Sequence, residues 1–404
     1  MQKKRLKLGP ATLVTAAFIG PGTVTVCTLA GVEFGFELLW ALLISILATI
    51  FIQNTAARLS FESELGLATL IKTRLQNPII RFLGMALVVS AVFIGNIAYE
   101  AGNISGAVLG LDEFVKNSSI NIGPLSLQTN PLLIGLIVSL MIWLGNMEFF
   151  KKYLIGIVIL MSISFVIAAI ATQPSISLLL KGMFIPSLDA EKTVRILALV
   201  GTTVVPYNLF LHAALVKDSK QKGHDLKSLQ QDTYISVAIG GLISVCIVVA
   251  AASLNGQDIS NAQDMGLALE PILGSYAKYL ISLGLFAAGL SSAITAPLAA
   301  AFVLGESLSW KNDQKNTAFR WTAIGVLATG FIFASIGYKP VEIIQFAQFA
   351  NGLLLPVIGV FIFWLVNAPN DLNISKPSKI ENTLLLILMF FLFFLGMKSL
   401  GFIN

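Results

Sequence analysis

Apolar runs of about twenty residues, separated by short polar connectors, recur eleven times along the chain, and a run of that length is what a helix needs to cross ~30 Å of hydrocarbon. The pattern predicts spans near residues 11–35, 37–57, 82–110, 131–148, 153–172, 194–216, 233–254, 276–304, 320–337, 341–367 and 382–402. The first and sixth runs differ from the rest. Gly20-Pro21-Gly22 interrupts one and Val205-Pro206-Tyr207-Asn208 the other, both near mid-membrane depth. An unpaired backbone group costs several kcal/mol in hydrocarbon, so such a break persists only where protein, water or a ligand satisfies it. Either break alone is open to a simpler reading as a proline kink. Their matching positions, five segments apart, predict two inverted five-helix halves, 11–172 and 194–367, with 382–402 outside the repeat and a substrate site between the unwound segments.

Polar residues inside the runs narrow the site. In the third span Asn96, Tyr99, Glu100 and Asn103 follow helical spacing and share a face. Glu100 is the carboxylate placed well inside a span, and an intramembrane ionisable group is a functional candidate by default; a protonated or hydrogen-bonded structural Glu is the alternative. The tenth span carries Gln345, Gln348 and Asn351 at three-residue steps, either as ligand contacts or as amide links between helices. Just past the sixth-span break, Asn208 and His212 stand one turn apart. His212 is a candidate proton relay near neutral pH, or a neutral imidazole bonded to backbone.

Composition agrees with a membrane protein and removes other classes. The 404 residues are 56% hydrophobic and 12% charged, with a mean hydropathy of +0.84, too apolar for one soluble core. With the N-terminus inside, most of the 26 Lys and Arg residues fall on cytoplasmic connectors, including Lys3, Lys4, Arg5, Arg58, Lys72, Lys217, Lys220 and Lys376. That distribution predicts a cytoplasmic N-terminus and an external C-terminus in the cell membrane, the first run being a retained helix rather than a cleaved signal. Lipid headgroups and topology account for the net charge of +5, and no aromatic-interleaved basic stretch calls for nucleic acid. Cys27 and Cys246 lie in apolar runs without partners at metal-ligand or disulfide spacing. No P-loop motif is present, so coupling to an H+ or Na+ gradient is expected. No cofactor is called for, a monomer is expected, and an enzyme is not, for want of paired acid and base groups.

Several stretches resemble one family. Gly201–Val216, GTTVVPYNLFLHAALV, is similar to the sixth-helix pattern of the Nramp divalent-metal transporters, where Met-Pro-His-Asn-Leu-Tyr-Leu-His is typical, and Ala287–Thr295, AAGLSSAIT, resembles their AAGQSSTIT. Gly20-Pro21-Gly22-Thr23, followed by Ala30-Gly31 and Phe34-Gly35, resembles the family's Asp-Pro-Gly-Asn signature and the pairs after it, while Gln348 and Pro356 fall where the family has Gln and Pro. The resemblance covers nearly the whole chain and implies the LeuT fold, eleven transmembrane helices with the first and sixth broken, and divalent-metal transport. The family's metal-binding Asp, Asn and Met stand here as Gly20, Thr23 and Val205; its first sixth-helix His is Tyr207; and its third-helix Asp and Glu align with Asn96 and Tyr99.

Losing a carboxylate and a thioether together changes what the site can bind. Stripping a divalent ion of water without a counter-charge is very costly. Three outcomes follow: a hydrated cation such as Mg2+ or a Mn2+-like ion, a charge supplied by Glu100, or a small anion or organic solute held by the helix N-termini near Thr23 and Asn208. The substrate-binding candidates are Gly20, Thr23, Asn96, Tyr99, Glu100, Val205, Tyr207, Asn208, Gln348 and Asn351, with Glu100 and His212 as coupling candidates.

Overall fold

A computed structural model describes residues 19–122, 125–144, 148–217, 219–221, 223–310, 316–368 and 374–403. Its helices are α1 (Pro21–Phe34), α2 (Leu39–Ser63), α3 (Leu67–Arg74), α4 (Pro78–Leu111), α5 (Thr129–Leu144), α6 (Glu148–Ala171), α7 (Ile176–Phe184) and α8 (Ala190–Thr203). They continue with α9 (Pro206–Val216), α10 (Leu226–Ala251), α11 (Ala262–Gly266), α12 (Glu270–Leu273), α13 (Ala277–Leu308), α14 (Thr317–Ser335), α15 (Pro340–Asn367) and α16 (Lys379–Ser399). Among the described residues nine helical segments are long and apolar enough to cross a membrane, α8 and α9 together forming one of them. Two shorter helices, α1 and α5, lie where the first and fourth spans are expected. The basic N-terminus, residues 11–18 of the first run and Lys311 and Lys315 lie outside the described residues.

Proline sets several helix starts. Pro21, Pro78, Pro206 and Pro340 each occupy the first helical position, where the missing N–H costs nothing and the fixed φ suits the helix. The residue before a proline is driven to extended backbone. Gly20 (φ −86°, ψ 174°) and Val205 (φ −91°, ψ 119°) obey this. At Pro78 the side chain of Asn77 also caps, accepting from the amides of Ile79 and Ile80 at 2.9 and 3.2 Å.

The scaffold is organised around α4, which packs on α13, α14 and α15. Its first turns leave Ile79, Phe82 and Leu83 exposed, whereas residues from Asn96 to Gly110 are almost wholly buried; a lipid-facing start and a bundle-facing end explain one apolar helix with two environments. Small residues let the helices touch backbone to backbone. A methyl added at Gly289 would meet the backbone of Asn103 and Ala107, and one at Gly201 would strike the Gln348 carbonyl.

The connectors depart from the plain polar loops of the sequence reading. Residues 111–130 hold an antiparallel hairpin, β1 (Ser119–Ile122) with β2 (Leu125–Gln128), in the register Ser119 to Gln128. α3, α7, α11 and α12 occupy the other connectors. In α3 the apolar positions Leu67, Leu70 and Ile71 are buried against the bundle, which supplies the stability that so short a helix lacks alone.

Candidate functional site

Two helix ends face one another at the centre of the bundle. α8 stops at Thr203, the chain leaves helical geometry at Val204 and is extended at Val205, and α9 restarts at Pro206. The sixth-span break is therefore a true interruption. For the first span the described part begins at Ile19, and Gly20 enters α1 in extended conformation. Neither Gly20 nor Val205 supplies a side-chain cap to the helix that follows. The first-turn amides of α1 and α9 thus lack the usual capping oxygen.

Side chains tie the two breaks together. The Thr23 hydroxyl, in the first turn of α1, lies 3.0 Å from the Thr202 hydroxyl near the end of α8. Gln348 of α15 lays its carboxamide over the α-carbon of Gly22, where a methyl group would collide with it. Tyr207 of α9 meets Tyr99 of α4 edge to face, with centroids 5.1 Å apart. Asn351 approaches α4 at Gly95, a methyl there coming within 3.2 Å of its Oδ1, and Asn96 donates to the Val92 carbonyl at 2.9 Å. Pro21 rests against Gly106 of the same helix. Thus α1, α4, α8, α9 and α15 all contribute to one buried polar region.

The informative property of this region is hydrogen-bonding capacity left unused. Both side-chain polar atoms of Asn208 and of Asn351, the Oε1 of Gln348 and the Oδ1 of Asn96 are buried without a partner. Asn208 and Asn351 are fully buried and Gln348 is 2% exposed. Each orphaned buried group costs about 1–3 kcal/mol, and a cluster of them calls for an occupant. The donors and acceptors are neutral amides and hydroxyls. Among the described residues there is no group of three or more His, Cys, Asp or Glu side chains able to hold a metal.

The sequence candidates separate into two sets. Gly20, Thr23, Val205, Tyr207, Asn208, Gln348, Asn351, Asn96 and Tyr99 fall at or around the breaks. Glu100 does not. Its stem packs against α14, where a methyl at Gly330 would come within 2.7 Å of its Cγ, and its Oε2 accepts from Asn103 at 3.3 Å. One residue is 100° of helix, so the neighbour Tyr99 reaches Tyr207 while the Glu100 stem packs against α14. His212 is buried on α9 one turn beyond Asn208, with Nδ1 unpartnered. Gln345 leaves the stripe and accepts from Arg195 Nη1 at 2.9 Å. Thr202 was missed by the sequence reading, which stopped at Val205; its only sequence signal is a hydroxyl close before the break.

Both faces of the region are fastened by ion pairs. Arg195 of α8 grips Glu33 of α1 through two nitrogens, at 2.5 and 3.0 Å, while also bonding Gln345 of α15. At the far ends of α9 and α2, Lys217 pairs with the buried Glu306 at 3.3 Å and Lys220 with Glu64 at 3.1 Å. Glu64 also accepts from Gln221 at 3.0 Å, and these partners hold its carboxyl below the ordinary range.

A histidine-to-alanine variant of the manganese transporter of Eremococcus coleocola superposes with a TM-score of 0.73 at 20% identity, covering 97% of this chain and 85% of that one. The same transporter in complex with an aromatic bis-isothiourea substituted compound gives 0.71 at 19% identity with the same coverages. Mhp1, a nucleobase-cation-symport-1 family transporter in a closed conformation, gives 0.56 at 13% identity, covering 98% of this chain and 90% of that one. At these identities the likeness is one of fold, and the fold is LeuT-like. The family model for natural resistance-associated macrophage protein-like proteins matches residues 11–401. This multi-pass membrane chain belongs to the Nramp family.

Proposed function

We propose that the protein is a secondary transporter that carries a divalent cation into the cytoplasm, bound at the paired break with part of its hydration shell. The observation that carries this reading is the set of orphaned neutral groups on Asn208, Gln348 and Asn351 around the first turns of α1 and α9. Amide and hydroxyl oxygens can accept hydrogen bonds from the water around an ion, and they suit Mg2+, which gives up water reluctantly, better than an ion that gains from a thioether. A manganese transporter with the same fold supports the cation class. Transport proceeds by alternating access, the halves 11–172 and 194–367 moving against each other. Coupling to H+ or Na+ draws on His212 and Glu100. The N-terminus is cytoplasmic, the C-terminus external and the working unit a monomer.

One observation favours a second reading. Two helix N-termini without side-chain caps border a region whose own donors and acceptors are neutral, a polarity that suits a small anion or organic solute. Uptake by the purified chain in liposomes, measured for Mg2+, Mn2+ and a panel of small anions and amino acids with and without a pH or Na+ gradient, decides between them. Cation uptake that the anions do not compete for supports the first reading. Anion uptake without cation uptake overturns it.

A further inference from the structure

A cavity lined by none of the residues at the breaks lies between α2, α10 and α16, with a volume of about 710 Å³, a ligand-sized space. Its walls are apolar over most of their length, with Leu47 and Phe51 on one side and Ile387 and Phe391 on the other. At one end the chemistry changes. Asn54 lines the cavity at 7% exposure, and both polar atoms of its carboxamide are buried without a partner. One turn on, Arg58 pairs with Glu381 at 2.5 Å, and the same end is lined by Gln230 and Ser378.

Length identifies the occupant. From Ile44, at the apolar end, to Asn54 the helix rises about 15 Å, the depth of one leaflet's hydrocarbon, half of ~30 Å. A molecule that fills the cavity therefore has a chain one leaflet long, a hydrogen-bonding group at the depth of Asn54, and a head beside a cation and an anion held side by side. We propose that this cavity binds one membrane phospholipid bearing an ammonium headgroup, its acyl chain along Leu47 and Phe391, its glycerol esters on Asn54, and its phosphate and ammonium on Arg58 and Glu381. Arg58 has five N–H donors and spends one on Glu381, leaving others for the phosphate. The unused acceptor capacity of Glu381 takes the ammonium. A purely anionic headgroup would meet Glu381 unfavourably, and a trimethylated one offers it no donor. Bound there, the lipid joins α16, the helix outside the repeat, to α2 and α10.

Native mass spectrometry of the full chain, released from nanodiscs of equimolar phosphatidylethanolamine, phosphatidylglycerol and phosphatidylcholine, tests the assignment. The expected result is one phosphatidylethanolamine retained per chain after the other two are lost. Asn54→Leu should lower retention by roughly fivefold, the loss of one hydrogen bond. The same variant should keep or raise the thermal midpoint, because it removes an orphaned amide. Leu47→Trp, which enters the groove from an exposed position, should displace the lipid without touching the core and serves if Asn54→Leu fails to express. Equal retention of the three lipids, unchanged retention in both variants, or a lipid-free dimer with the groove covered by a second copy would overturn the proposal.

Discussion

Thr23 and Thr202 share a hydrogen bond of 3.0 Å between residues 179 apart in sequence, and it joins the first turn of α1 to the last turn of α8. Replacing either hydroxyl by a methyl keeps the shape and removes the link. Thr23→Val and Thr202→Val should each cost about 0.5–1.5 kcal/mol of stability. If Thr23 also touches the cargo, Thr23→Val alone should raise KM for uptake by an order of magnitude or more, roughly 1.4 kcal/mol. Equal kinetics in the two variants would leave the pair as a structural tie.

Asn208 predicts an opposite movement of stability and activity. Its two polar atoms have no partner although the residue is fully buried, so a similarly sized apolar side chain relieves an unmet demand. Asn208→Leu should leave the melting temperature unchanged or higher, by up to about 1–3 kcal/mol of stability, and abolish uptake. A destabilised Asn208→Leu protein that still transports would show the amide to be part of the packing.

The Arg195 clamp holds α1, α8 and α15 together on the side of the site bearing Glu33. Arg195→Gln should raise the population open to that side by roughly fivefold, about 1 kcal/mol. The readout is labelling of a cysteine at Thr25, a buried position two residues above Thr23, in a chain with Cys27 and Cys246 replaced. Exchanging the charges, Glu33→Arg with Arg195→Glu, should return labelling toward the starting rate. Labelling that Arg195→Gln leaves unchanged would exclude the clamp as a gate.

On the other side Glu64 gives a pH signature. Hydrogen bonds from Gln221 and Lys220 and the nearby Lys220 charge lower its carboxyl value in the folded protein. A depressed folded value means the clasp is fully present above the unfolded carboxylate value and is lost only as pH falls through the lowered one. Between about pH 5 and 7 this contact should therefore not change. Hydrogen exchange of residues 219–221, corrected for intrinsic rates, should be constant across that range and rise in stronger acid, while Glu64→Gln should lose the acid-dependent step. A rise already at pH 6 would contradict the assignment.

Much of this was legible in sequence, and the limits have physical causes. Pro21 and Pro206 mark the interruptions because a proline inside an apolar run fixes both its own φ and its predecessor's extended state. Helical spacing correctly placed Asn96, Tyr99, Glu100 and Asn103 in the interior, all four being buried. It did not resolve which neighbour each would meet, and a single residue of rotation parts Tyr99, on Tyr207, from Glu100, against Gly330. Gln345 and Gln348 look equivalent in the tenth span, yet Arg195 takes one and Gly22 receives the other. Thr202, the clamp and the Asn54 cavity depend on contacts between distant helices, for which local periodicity carries no signal. The hairpin at 119–128 escaped because its strands, of four residues each, are too short for their alternation to stand out from a connector.

Where the cargo sits is the central claim, and a diffraction experiment reads it directly. Crystals of the full chain grown with Mn2+ as a heavy stand-in, with data collected at the manganese edge, should show an anomalous peak between Thr23, Asn208 and Gln348, set back from the side chains by intervening water. That peak should vanish in Asn208→Leu crystals. A peak beside Glu100 or elsewhere in the bundle, or none at manganese concentrations that support uptake, would contradict the account.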